Sequence, residues 1–338
     1  MARDLFKKKA NLRDVAKSAD VSVATVSRVL NAPDKVSRPT RERVEATIAE
    51  LKFVPSAAAR AINSGRSRMV AALLPTLDNA IYARLVNGLE SRLAADGLSL
   101  IVAQIGEDAA EELKRARLMV DHGAEALIVA GITRDKGFSE LMDNAQIPVV
   151  AISYFEEGGR VPTVGYDNAE AAGIAAQHVA ELGHKRVLVL HGPAATNDRT
   201  RQRIEALRDF GTDTEFLFLE TSVSMEGGHK AVEQMLGRPD TCTAIICFSD
   251  VIAYGALGAL RRHGIDVPGE ISVMGIENLP GSRFTFPSLT SVRLNVEEMG
   301  RRAAECVSDW LETGAHPESI YIGSELIARE STARRRTG

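Results

Sequence analysis

Leu12-Arg13-Asp14-Val15-Ala16-Lys17-Ser18-Ala19-Asp20-Val21-Ser22-Val23-Ala24-Thr25-Val26-Ser27-Arg28-Val29-Leu30-Asn31 is the stretch that decides how this chain folds. Leu12, Val15, Ala16 and Ala19 share one face at helical spacing, Asp20-Val21-Ser22 interrupts, and Val26, Val29 and Leu30 open a second short face. Two helices joined by a tight turn satisfy this pattern. Ala16 is small where the helices would cross, Asp20 is among the few non-glycine types that tolerate a left-handed turn position, and Ser22 can cap the second helix. The motif is a helix-turn-helix. A third helix is expected from Ser37, with Pro39 near its first turn and Val44, Ile48 and Leu51 spaced to pack back on the first two. Residues 1–54 should therefore form an all-α head, near the lower size limit for a self-standing core.

Beyond it, Ser56–Ile62 is rich in helix formers but covers only two turns. An isolated helix shorter than about 12 residues is marginal in water, so this one is expected to form only when something packs against it. Asn63–Ser67 reads as a joint, which makes 55–67 a hinge helix and linker. From Met69 onward, apolar runs alternate with helical patterns: Val70–Leu74, Leu98–Ala103, Ala126–Val129 and Pro148–Ile152, then Arg186–Leu190, Glu215–Leu219, Ala244–Phe248 and Ile271–Gly275. Repeated βαβ units with parallel sheets buried on both faces have this signature. Residues 68–338 are thus expected to form two doubly wound α/β lobes, one from 68–163 with 279–295 and the other from 164–278 with 296–330. The chain should pass between them near 153–166 and 279–295, with Ser319–Ala328 returning to complete one.

Charge is divided unevenly between these parts. Residues 1–66 hold 14 basic and 7 acidic side chains, a net of +7, while the rest holds 27 basic and 38 acidic, a net of -11. A basic head on an acidic body points to a polyanion met by the head alone, the alternative being a solvated basic arm. At 338 residues, 45% hydrophobic and 25% charged, the composition excludes a fibre, a disulfide scaffold and a disordered tail. No apolar run reaches the length of a membrane span and the first residues lack the pattern of a signal peptide, so a cytoplasmic protein is expected, without membrane partners. Cys242, Cys247 and Cys306 show no C-x-x-C spacing and read as buried thiols. Seven histidines show no i, i+4 pairing, and phosphate-loop, dinucleotide and serine-hydrolase motifs are all missing, so no metal, cofactor or catalytic set is expected.

With helix-turn-helix, joint and two α/β lobes in that order, the chain resembles the LacI/GalR (lactose-repressor and galactose-repressor) family of transcriptional regulators. The resemblance rests on Leu12–Ala16, Val21–Asn31, Val36-Ser37 and Pro55–Arg60 in the head. In the body it rests on Gly183–Arg186, Phe248-Ser249-Asp250, Gly264–Pro268, Ile271–Gly275, Pro287–Thr290 and Met299-Gly300. It implies a periplasmic-binding-protein-like effector domain and a homodimer that binds a pseudo-palindromic operator in double-stranded DNA under control of a sugar or sugar acid. Rival readings are an α/β enzyme with a DNA-binding head, for which no nucleophile, base and orienter can be named, and a binding protein without regulation. Departures cluster on the expected cleft. The family's Asn-Pro-Phe-Phe is Asn79-Ala80-Ile81-Tyr82, its Arg-x-x-Gly-Phe is Arg199-Thr200-Arg201-Gln202-Arg203, and its Gly-Phe-Asp is Gly275-Ile276-Glu277.

By family position, Val23, Ala24 and Arg28 would face bases, where Arg can be bidentate to guanine and small apolar groups meet the thymine methyl. Thr25, Ser27 and Asn31 suit phosphate contacts, and Arg60 belongs to the same DNA-binding set. Ile62 has no core of its own to enter. Paired across a dimer axis it would wedge into a minor-groove step, the alternative being a small dimer contact. The effector set is Ile81, Tyr82, Ser153, Arg199, Val223, Ser249, Asp250 and Glu277. Arg199 and Glu277 lie just beyond predicted strand ends, where ligands of open α/β sheets bind. Asp250 has two readings, a hydroxyl-binding group or the N-cap of the helix that starts at Val251. With no leucine heptads after Glu330, a dimer is expected rather than a tetramer.

Overall fold

Asn11 starts the first helix by accepting from the backbone N–H of Arg13 and Asp14, while Asp14 accepts from the N–H of Asn11, a closed capping box. The computed structural model describes residues 10–54, 65–106, 108–211, 213–237 and 242–335, and it divides between Ser67 and Arg68 into two units. In the first unit, helices α1 (Leu12–Ser18), α2 (Val23–Asn31) and α3 (Arg38–Glu50) surround Val15, Ala16, Ala19, Val26, Val29, Val44 and Phe53. Asp20 takes the left-handed turn at φ 50°, and Ser22 Oγ accepts from Thr25 N at 3.1 Å. The expected hinge helix Ser56–Ile62, with Arg60 and Ile62, lies outside the described residues.

Two six-stranded sheets make up the second unit. One has the order Ile320–Tyr321 (β11), Thr163–Gly165 (β5), Val149–Ile152 (β4), Ala124–Ala130 (β3), Met69–Leu74 (β1) and Ser99–Gln104 (β2). The other runs Ser324–Ile327 (β12), Thr290–Leu294 (β10), Ser272–Glu277 (β9), Ala244–Cys247 (β8), Arg186–His191 (β6) and Glu215–Glu220 (β7). All pairs are parallel except β10 with β12. Central strands are buried along nearly their whole length, as continuous apolar runs require when helices cover both faces.

This topology corrects the expected lobe membership. Residues 279–295 belong with the second sheet, because β10 pairs with β9 from Thr290↔Met274 to Arg293↔Glu277. Helix Val296–Thr313 belongs with the first lobe, where it buries Met299, Ala303, Ala304 and Val307. It lies so close to helix Ala80–Ala95 that a Cβ on Gly88 would come 2.1 Å from Glu297 O, and one on Gly300 would come 2.4 Å from Leu85 O. Ser319–Ala328 completes both sheets rather than one, β11 in the first and β12 in the second. The chain therefore crosses between lobes three times, after β5, after β10 and between β11 and β12.

Cys242, Cys247 and Cys306 are buried and unpaired, and burial pushes the thiols of Cys242 and Cys306 up to about 11. Among the described residues no helix is long and apolar enough to cross a membrane.

Candidate functional site

Helix α2 turns Val26 and Val29 into the head's core, which leaves Val23, Ala24, Arg28 and Asn31 exposed on the opposite side. Val23 is 44% exposed although it is apolar and begins the helix. Together with Leu12, Ser27 and Ala32, these side chains line one shallow concavity. Thr25 sits to one side, with its hydroxyl 2.9 Å from Ser22 Oγ, and Asn31 donates to Ser27 Oγ at 3.3 Å. Five of the six α2 residues expected to meet DNA thus share one surface. Thr25 lies beside that surface at the helix start, where its backbone N–H is capped by Ser22 Oγ.

In the second unit a cavity of about 110 Å³ opens between the lobes, at the carboxyl ends of the strands. Ile81, Tyr82, Ser153, Arg199, Val223, Ser249 and Glu277 all line it. Asp250 does not. It is fully buried as the first residue of helix Asp250–Arg262, and Ser249 is the N-cap, accepting from Val251 N at 3.3 Å. Asp250 accepts from Leu279 N at 2.7 Å, Ser282 Oγ at 2.5 Å and Ser291 Oγ at 2.6 Å. Both readings offered for it are corrected: it ties the loop after β9 and strand β10 to the start of this helix. Burial raises its carboxyl against the pull of those hydrogen bonds.

Glu277 ends β9 at φ 131° and is 7% exposed. Its Oε2 accepts from Ser249 Oγ at 2.8 Å and from Asp250 N at 3.3 Å. Burial and then the neighbouring Asp250 carboxylate push it up to about 8, so it holds a proton at neutral pH and can donate into the cavity. Arg199 donates to Asp198 Oδ1 at 3.1 Å. Asp198 in turn spans the lobes, accepting from Ile132 N at 2.6 Å and Thr133 N at 2.8 Å. Burial works to raise the Asp198 carboxyl, but Arg199 and the two backbone donors outweigh it and hold the group below its ordinary value.

Several wall residues were not among the expected effector contacts: Tyr166, Asn197, and also Asn79, Arg203 and Phe248, which stand in stretches quoted above only as parts of motifs. Asn79 and Asn197 cap helices Ala80–Ala95 and Asp198–Arg208, so their signal was the ordinary one for helix starts. Arg203 is the least expected. It is 7% exposed, Nε donates to Asn168 Oδ1 and one terminal nitrogen to Phe248 O, both at 2.9 Å, and the guanidinium lies 5.8 Å from the Phe248 ring centroid. Its sequence signals were its place at the end of Arg199–Arg203, where the chain departs from Arg-x-x-Gly-Phe, and a cation four residues after Arg199 on the same face of one helix. Among the described residues no group of three or more His, Cys, Asp or Glu is placed to hold a metal ion.

Comparison with known proteins accounts for both surfaces. Residues 11–56 match the family described as bacterial regulatory proteins, lacI family, and residues 67–330 match periplasmic binding proteins and the sugar binding domain of the LacI family. The HTH-type transcriptional repressor CytR of Escherichia coli K12 is 31% identical over 330 residues, 96% of each chain. A LacI-family transcriptional regulator from Silicibacter pomeroyi superposes with a TM-score of 0.86 at 28% identity, over 97% of this chain and 100% of the other. The regulator CelR in complex with cellobiose gives 0.70 at 27% identity, over 95% and 99%. A helix-turn-helix with an exposed second helix in one unit, a cleft between α/β lobes in the other, and relatives that match along nearly the whole length lead to one conclusion: the chain belongs to the LacI family of bacterial regulatory proteins.

Proposed function

We propose that this protein is a sequence-specific transcriptional regulator, a repressor, whose hold on operator DNA is set by a small hydroxyl-rich molecule bound between its lobes. One observation carries the reading: a single chain presents an exposed, base-sized helix face and a polar, aromatic-walled cavity of ligand type. CytR is named a repressor, and CelR was solved with a sugar. For this chain, Val23, Ala24 and Arg28 read bases, while Ser27, Asn31 and Thr25 set register on phosphates. Arg60 and Ile62 of the hinge act in the minor groove. Ile81, Tyr82, Ser153, Arg199, Val223, Ser249 and Glu277 hold the effector. The protein works in the cytoplasm as a homodimer, which places one α2 helix in each half of a two-fold symmetric site.

Selection of bound duplexes from a random library tests this directly. A two-fold symmetric site should emerge, with affinity that falls steeply with salt as phosphate contacts release counterions. Recovery of a single asymmetric half-site, or no enrichment, overturns the reading.

A further inference from the structure

We propose that the effector is a monoanion, a polyhydroxy acid of the aldonic or uronic type, and that Arg203 is the residue that meets its carboxylate. The proposal deepens the reading of the interlobe cavity as the effector site and rests on it.

Arg203 lines the cavity but is otherwise enclosed, at 7% exposure. Its two hydrogen bonds, to Asn168 Oδ1 and to the carbonyl of Phe248, go to neutral acceptors. Among the described residues it forms no ion pair, and its second terminal nitrogen has no protein acceptor. A guanidinium does not give up its charge, and enclosing one without a counter-charge is costly. The other charged groups on the wall do not relieve it. Arg199 has Asp198 at 3.1 Å, and Glu277, the one wall carboxyl whose charge would act on Arg203, is kept protonated by burial and by Asp250 while its Oε2 is engaged by Ser249 and by Asp250 N. The cavity thus carries one positive charge that the protein leaves unmatched.

A carboxylate matches that charge in sign, size and planarity, and it can accept from the open terminal nitrogen in a charge-assisted hydrogen bond. A phosphate dianion would bring a second negative charge close to Asp198 and has no second unmatched cation to receive it. The remaining wall is suited to a polyol chain or ring. Tyr82, Tyr166 and Phe248 offer apolar faces, and Asn79, Asn197 and Ser249 offer donors and acceptors to hydroxyls.

The test is calorimetric titration of the full chain with the aldonates and uronates of glucose, galactose, mannose and xylose. Each is set beside its neutral parent sugar and its sugar phosphate. At least one acid should bind more tightly than its parent by about tenfold or more, the difference expected of a hydrogen bond between charged groups. Two perturbations should erase that preference. One is Arg203→Met, with Arg203→Lys restoring part of it. The other is the methyl ester of the same acid on the unaltered protein, which keeps the test independent of whether the variants fold. The proposal is overturned if every acid fails to bind, if a neutral sugar or a sugar phosphate binds more tightly, or if the ester binds as well as the acid. A neutral sugar that binds more tightly than every acid and shifts operator affinity would leave the effector-site reading standing and remove only the monoanion; a ligand that binds without affecting operator affinity would remove that reading instead.

Discussion

Arg28 stands exposed on the outer face of α2, two residues past Val26 and one before Val29, both of which point into the core. If it reads guanine, Arg28→Ala should cost about 1–3 kcal/mol at one base position and leave other positions unchanged. Binding measured against a set of single-base operator variants checks this, and uniform weakening would make Arg28 a phosphate contact. Glu277 makes a pH prediction. Burial pushes its folded-state carboxyl from an ordinary 4.5 up to about 8, so between these values the folded protein keeps a proton that the unfolded chain has lost. Stability should therefore fall as pH rises through that window, by an amount on the order of a few kcal/mol. Glu277→Gln, neutral at every pH, should flatten that slope in urea unfolding; an unchanged slope would mean the buried group is ionised. Asp250→Ala strands three buried donors and should lose about 3 kcal/mol or more. Loss of ligand affinity without loss of stability would return Asp250 to the effector site. At this scale the recognition face was readable because i, i+3, i+4 spacing alone sorts inward from outward side chains on α2. The cavity wall was readable only in part. Arg199 and Glu277 could be placed by their positions after strands, whereas the burial of Asp250 depends on Leu279, Ser282 and Ser291, some 30 to 40 residues away in sequence.

Elements were legible wherever a run was long and flanked by turn residues, which is why eight strands, β1 to β4 and β6 to β9, and the three head helices could be read from pattern alone. Thr290–Leu294 was not. Its alternating Thr, Ser, Val, Arg, Leu resembles a loop entering a helix, and only its pairing with β9 and β12 makes it a strand of the second sheet. Missing this strand misassigned what followed it, whereas the short β5, Thr163–Gly165, also went unread but without changing lobe membership. Membership of helix Val296–Thr313 is decided by close approach to helix Ala80–Ala95, where Gly88 and Gly300 let the two backbones nearly touch. Gly300→Ala should accordingly cost about 1–3 kcal/mol through overpacking against a carbonyl. Thermal unfolding reads this, and a neutral effect would show that the helix pair can slide apart. In the head, Ser22→Ala removes the cap on α2 and should cost about 1 kcal/mol. Hydrogen exchange at Thr25 N, the proton that Ser22 Oγ receives, should rise in step.

Taken whole, the molecule sets a basic head of net +7 against a body of net -11, so electrostatic attraction to DNA belongs to the head and ligand chemistry to the body. The lobes are tied by Asp198, whose carboxylate accepts hydrogen bonds from two backbone N–H groups of the other lobe while holding Arg199 on the cavity wall. A ligand bridging both lobes stabilises one arrangement of the body by its differential affinity, and an arrangement that suits DNA better or worse then follows by linkage. Asp198→Ala should loosen the tie and raise hydrogen exchange at Ile132 and Thr133. Coupling between the cavity and the operator is the central claim, and fluorescence anisotropy of a labelled operator, selected by the protein itself and titrated with and without saturating effector, measures it most directly. The account predicts a change in operator affinity of roughly 5- to 150-fold, the range of an ordinary allosteric coupling energy. An effector that binds the cavity in calorimetry and leaves the operator titration unmoved would contradict it.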